Sequence, residues 1–175
     1  MTNNPTEEKG EQSKKSRGDM ILTAIIVLVV GFLFAWNIFS YYAPQLELSG
    51  TTLTTISGKN PETKKKMTLN IEGKYAVVNF WGTWCSSCVA ELPELKKANK
   101  TIPVYGILKA PYRRGSLERM DVSWPQVIAK DSLFTDFHIT GVPTTLLMKN
   151  GKVDKVVSGP ITNSEIQSWL KESSQ

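Results

Sequence analysis

Between Asp19 and Glu47 no side chain except tyrosine is ionisable, and Met20 to Tyr42 is apolar almost throughout. At about 1.5 Å rise per residue, roughly 20 such residues cross the hydrocarbon core of a bilayer. The pattern therefore predicts one membrane-spanning helix over 20–42. Beyond it the hydrophobic positions change period repeatedly. Thr51 to Ile56 and Met67 to Ile71 are short and threonine-rich, and Gly58, Asn60 and Pro61 lie between them, which predicts a small hairpin. Tyr75 to Trp81 is a buried strand by its β-branched and aromatic content. Cys85 to Asn99 carries Val89, Leu92, Leu95 and Ala98 at spacings of three and predicts an amphipathic helix, interrupted by Pro93. Val104 to Leu108 reads as a strand, Ser116 to Met120 as a turn or two of helix, Gln126 to Ala129 as a short strand, and Ser132 to His138 as a short helix. Thr144 to Met148 and Val153 to Ser158 form a strand pair about the hairpin signal Asn150-Gly151. Thr162 and Glu165 open the last helix as a capping box. This order fits an α/β sheet, mostly parallel at its centre with an antiparallel hairpin at one side.

Length and charge divide the chain. Its 175 residues allow one domain plus an appendage. Residues 1–19 mix four basic and four acidic side chains with polar ones and are expected to form a disordered cytoplasmic tail. Residues 43–66 read as linker and first hairpin strand, and 67–175 as the main domain. Lys9, Lys14, Lys15 and Arg17 precede the apolar span, and the first basic residue after it is Lys59, so the N-terminus is expected inside and the domain outside the membrane. A cleaved signal peptide is the competing reading, but the apolar run exceeds the 7–15 residues of an h-region and no small-x-small site follows it. After the span, seventeen basic residues face twelve acidic ones. The clusters Lys64–Lys66 and Arg113–Arg114 lack interleaved aromatics, so no nucleic-acid partner is expected.

Two cysteines and one histidine limit the chemistry. A disulfide-dense scaffold and a multi-histidine metal centre are excluded, and no metal or cofactor is expected. His138, at the end of a short helix, reads as a dipole partner or a plain surface residue. Trp124 is read as a core or lid residue rather than the wall of a substrate groove. Cys85 and Cys88 lie three apart where a strand turns into a helix. Such a pair can close a disulfide, and the unsatisfied N–H groups of a helix N-terminus stabilise a thiolate on the first sulfur. Lowering a thiol pKa from about 8.5 to about 7 raises the thiolate fraction at neutral pH about sixteenfold, while lost nucleophilicity takes back about fivefold. The environment therefore mainly sets redox potential. Cys85 is the nucleophile in this arrangement, and Cys88, one turn further in, resolves the mixed disulfide.

The context of the pair carries a resemblance. The run Val77 to Leu95 contains Asn79-Phe80-Trp81-Gly82-Thr83-Trp84-Cys85-Ser86-Ser87-Cys88, and Gly141-Val142-Pro143-Thr144 leads into an apolar strand. Asn150-Gly151-Lys152 and Gly159-Pro160-Ile161-Thr162 follow. Over roughly residues 67–172 the chain resembles the thioredoxin superfamily, and within it the membrane-anchored TlpA/ResA/CcmG(DsbE) branch. That resemblance implies a thioredoxin-like fold: a central mixed sheet flanked by helices, with the N-terminal hairpin as an addition. It implies that Pro143 is a cis proline beside the sulfurs, and that the Val142 backbone pairs with an extended substrate. Trp84 and Thr144 are the remaining candidate substrate-binding residues, with Trp84 open also to a plain packing role. Thioredoxins carry a buried aspartate where this chain has Asn79. The resemblance assigns the carboxylate that serves the pair to Glu91, which otherwise reads as a solvated first-turn residue. Ser86-Ser87 replaces the more usual proline-containing pair, and Thr144 stands where cytochrome-maturation members often carry Glu.

The function implied is that of a thiol-disulfide oxidoreductase, a disulfide reductase whose only redox group is the Cys85–Cys88 disulfide. Its expected partners are a disulfide-containing substrate protein such as apocytochrome c and a membrane electron donor of the CcdA/DsbD kind. It is expected on the cytoplasmic membrane with its catalytic domain on the periplasmic side. Two other readings stay open: a general reductase or isomerase for other proteins, and a non-enzymatic copper-binding module using the two thiolates.

Overall fold

The computed structural model describes the backbone of residues 5–175, and side chains over 19–40 and 48–175. Two units result, residues 1–43 and 44–175. The first holds most of helix α1 (Pro5–Leu48), whose segment Asp19–Ser40, with mean hydropathy 2.5, is long and apolar enough to cross a membrane. Its apolar side chains, from Met20 to Phe39, are exposed within this unit on every face. The expected disordered tail falls partly outside the described residues, at 1–4. From Pro5 the backbone is helical; Glu7, Glu8, Gln12 and Lys14 are good helix formers, and extending an existing helix avoids the cost of nucleation.

The second unit is a seven-stranded sheet in the order β2-β1-β5-β4-β3-β6-β7. The strands are β1 (Thr55–Lys59), β2 (Lys66–Asn70), β3 (Tyr75–Trp81), β4 (Val104–Leu108), β5 (Gln126–Ile128), β6 (Thr144–Lys149) and β7 (Lys152–Ser158). Helices α2 (Ser86–Ala98), α3 (Ser116–Arg119), α4 (Asp131–Asp136) and α5 (Asn163–Ser173) connect or follow them. The hairpin starts later than expected. Thr52 only bridges to Lys152, and pairing proper runs from Thr55↔Asn70 to Lys59↔Lys66. The Asn60 side chain fixes this register by accepting hydrogen bonds from the N–H groups of Glu62 and Thr63. The hairpin also joins the main sheet, through Lys59↔Ile128, and belongs to the same compact unit as the rest. Gly58 permits that junction, since a Cβ there would stand 2.3 Å from the Ile128 carbonyl oxygen.

Only β3–β4 and β4–β5 are parallel, so the sheet is less parallel than the element order suggests. The six residues of α4 rise only about 9 Å, so the chain does not travel back along the sheet before β6. β6 therefore enters from the end at which β3 leaves, antiparallel to it, with Phe80 opposite Thr144. That entry brings Pro143 to the end of the sheet where Cys85 stands.

Each face of the sheet covers its own core. Alternation along β3 sends Val77 and Trp81 toward Leu92, Leu95, Ile166 and Trp169. It sends Ala76, Val78 and Phe80 toward Tyr105, Ile107, Phe134 and Met148. Trp124 is buried in the first of these cores. Pro93 lies inside α2 without ending it. Asn150 and Gly151, both at positive φ, make the tight β6–β7 turn, and the Thr162–Glu165 capping box opens α5.

Candidate active site

Strand β3 ends at Trp81 and the chain turns through Gly82, Thr83 and Trp84 into α2. Gly82 lets the Trp84 indole lie close over the turn, where a Cβ would meet it at 2.8 Å. Cys85 is the N-cap of α2, and its sulfur accepts a hydrogen bond from the Cys88 N–H at 3.2 Å. The two cysteines are joined in a disulfide with Cα atoms 5.2 Å apart. Cys88 is wholly buried, while Cys85 lies at the surface end of the pair with 8% exposure. The Ser87 hydroxyl stands 3.3 Å from the Cys85 sulfur. When the pair is reduced, the Cys88 N–H, the Ser87 hydroxyl and the positive end of the α2 dipole all favour a thiolate on Cys85.

The β6 entry closes the site from the other side. The Val142–Pro143 peptide bond is cis, as the resemblance implied, and the Val142 carbonyl oxygen is 3.6 Å from the Cys85 sulfur. Pro143 is buried. Thr144 is buried too, and its hydroxyl donates to the Gly141 carbonyl at 2.8 Å, so it ties the loop rather than facing outward. Trp84 is 53% exposed beside the sulfurs.

Glu91, one turn along α2 from Cys88, is not the solvated residue its position also allowed: it is 3% exposed. Its Oε1 accepts from Asn79 Nδ2 at 2.9 Å, and its Oε2 accepts from the Ile161 N–H at 3.0 Å. Burial pushes its pKa from 4.5 up to about 7, against the lowering effect of these two hydrogen bonds. A carboxyl that exchanges its proton near neutrality is suited to proton transfer. Asn79 Nδ2 also donates to the Thr145 hydroxyl at 3.0 Å, while its Oδ1 is buried without a partner.

Thus the structure brings Cys85, Cys88, Val142 and Pro143 together, with Trp84 on the exposed side and the Asn79–Glu91 pair buried. Sequence reasoning missed Thr145, Ile161 and Ser87. Thr145 was discoverable, since it alternates with Thr144 on β6 opposite Asn79. Ile161 was not, because only the folded approach of the loop before α5 brings its N–H to Glu91.

Residues 59–172 match the family model described as thioredoxin. Among curated proteins, the thiol-disulfide oxidoreductase ResA of Geobacillus thermodenitrificans is 26% identical over 172 residues, covering 90% of this chain and 97% of its own. ResA of Bacillus subtilis is 27% identical, covering 90% and 94%. Among solved structures, StoA of Bacillus subtilis superposes with TM-score 0.52 at 19% identity, over 70% of this chain and 97% of its own. A DsbF homologue from Corynebacterium diphtheriae gives TM-score 0.60 at 16% identity, over 70% and 87%. At these identities the structural matches speak for the fold.

Proposed function

The chain belongs to the thioredoxin family and is a thiol-disulfide oxidoreductase, and we propose that it is a membrane-tethered, extracytoplasmic reductase of protein disulfides. The observation that carries this is the Cys85 sulfur at the N-terminus of α2, in contact with the Val142 carbonyl ahead of Pro143. There a substrate strand lying along residue 142 brings its cystine onto the nucleophile.

The Cys85 thiolate attacks one sulfur of the substrate cystine; that S–S bond breaks and the other substrate sulfur leaves as a thiolate. Cys88 loses its proton, to Glu91 in this reading, and attacks the Cys85 sulfur. The mixed disulfide breaks, the second substrate thiolate departs, and Cys85–Cys88 is left oxidised. Two electrons pass to the substrate, and two protons complete its thiols. A membrane thiol donor of the CcdA/DsbD kind restores the dithiol. The apolar segment of α1 supplies the tether, with the basic residues that precede this segment on the cytoplasmic side.

Apocytochrome c is the proposed substrate, as for the branch that the motifs resemble. A second reading, a reductase for other secreted proteins, is favoured by Thr144, which offers a buried hydroxyl already bonded to Gly141 and no carboxylate beside Pro143. Full-length Cys88→Ala chain, expressed in membranes, holds substrates as mixed disulfides on Cys85. Apocytochromes c should dominate the captured set, and their absence from it decides for the second reading. The Cys85–Cys88 potential measured against glutathione should lie well below that of a strong oxidant; a value near about −120 mV overturns the reductase direction.

A further inference from the structure

The connection between β4 and β5 matched none of the motifs above, yet it builds a wall beside the nucleophile. Its Pro111, Tyr112, Arg113 and Arg119, together with Thr83 and Trp84, enclose a cleft of about 580 Å³. Thr83 and Trp84 immediately precede Cys85, so two of the residues that line the cleft lead directly into the nucleophile.

The cleft is held in place. The Tyr112 hydroxyl donates to Glu62 in the β1–β2 turn, and the same carboxylate accepts from the Gly115 N–H. Burial and the Glu62 contact push the Tyr112 phenol up to about 12, so it remains a donor at any physiological pH. Lys64 lies over the same ring, 4.3 Å from its centroid. Arg119 donates one N–H to the hydroxyl of buried Ser116 at 3.1 Å, which orients the guanidinium and leaves its other donors unused by that bond.

The nearby acids do not neutralise the arginines. Glu62 is engaged by Tyr112 and Gly115, and Asp121 by Lys96. Glu118 on α3 is exposed. Among the described residues the ion pairs are Lys96–Asp121 and Lys97–Glu94, and neither includes Arg113 or Arg119. Two guanidinium groups and an exposed indole thus line one cleft whose Thr83–Trp84 wall runs into Cys85, a combination suited to a planar carboxylate on an extended chain.

We infer that this cleft is a substrate subsite selecting protein disulfides flanked by acidic side chains, with the Asp or Glu carboxylate seated on Arg113 and Arg119. The inference rests on the oxidoreductase reading above and names the class of protein disulfide it prefers. Partly exposed charge pairs act mainly on encounter and orientation, so the preference is kinetic and salt-dependent.

Two cystine peptides identical except for Asp or Asn on either side of one cysteine test it, reduced by the full-length dithiol chain in neutral detergent and followed by stopped flow. The Asp peptide should react about tenfold faster at low salt and about twofold faster at 0.5 M salt. Arg113→Gln with Arg119→Gln should bring the ratio to about one, and Arg113→Lys with Arg119→Lys should keep a preference of several fold. A wild-type ratio of one, or a wild-type ratio retained in the double Gln variant, overturns the subsite. If the wild type reduces neither peptide, the oxidoreductase reading itself has failed.

Discussion

Replacing Glu91 by glutamine should change the pH dependence of stability more than stability itself at low pH. Burial holds the Glu91 pKa at about 7 in the fold, against 4.5 when the chain is open. Below pH 4.5 the residue is protonated in both states and contributes its full share. Between 4.5 and 7 the unfolded chain releases the proton and the folded chain does not, so the wild type loses stability steadily; above 7 the loss is complete. That span corresponds to about 3 kcal/mol. Glutamine cannot titrate, and its amide can still be accommodated. Asn79 Oδ1 lacks a partner, and turning that amide over would place an acceptor opposite a protonated carboxyl or a glutamine NH₂. The raised carboxyl is specific to the wild type. The lowered ones, Glu62, Glu94 and Glu165, are common to both proteins and cancel in the difference. Denaturant unfolding of the oxidised full-length chain, followed by near-UV circular dichroism from pH 4 to 8.5, reads this directly. E91Q should gain about 3 kcal/mol on the wild type between pH 4.5 and 7 and hold that gain above. Parallel curves across that range refute the buried, neutral carboxyl.

Gly58→Ala should destabilise the domain by about 1–3 kcal/mol in the same unfolding assay, because the added methyl meets the Ile128 carbonyl at 2.3 Å and the Val127 side chain at 2.5 Å, where β1 joins β5; a neutral result would mean that the hairpin is not held to the sheet there. Thr162→Ala removes the hydroxyl that accepts from the Glu165 N–H at 3.3 Å and donates to its carboxylate at 2.7 Å, and should cost about 1 kcal/mol, measured as a lowered denaturation midpoint with unchanged slope.

What was legible in the chain was whatever depended on local pattern. The apolar period of α2, the Asn150-Gly151 turn, the Thr162–Glu165 box and the Cys85–Cys88 pair each rest on neighbours within a few residues, and each stands where expected. The direction of β6 was harder, because it depends on how far a six-residue helix can carry the chain and not on the character of Thr144 to Lys149 itself. The hairpin slipped for a related reason: Thr51 to Ile56 is as strand-like as Thr55 to Lys59, and the choice between them is made by the Asn60 turn and by Gly58 meeting β5. The burial of Glu91 was open, since its place on the helix suited solvent as well as the core. The Arg113–Arg119 cleft was invisible because its parts are separated in sequence and gathered by Tyr112 reaching Glu62.

The pairing of Asn79 with Glu91 explains how this site keeps a proton-exchanging group without an acid on β3. The strand residue and the helix residue are two ends of one hydrogen bond, 2.9 Å long and buried beside Cys88 on α2. A carboxyl at either end lies in the same low-dielectric region and is pushed upward by the same burial. Placing it on the helix adds one control that the strand position lacks. Ile161, on the loop leading to α5, donates to Glu91 and pulls its pKa back down, so the position of that loop adjusts how readily Glu91 accepts a proton. The Ile161 and Asn79 hydrogen bonds oppose the burial and hold the pKa at about 7, where both forms are populated, as the base role proposed for Glu91 requires. The acid and its cost to stability are therefore inseparable here, because the desolvation that costs the fold about 3 kcal/mol above neutrality is the same interaction that raises the carboxyl into the working range.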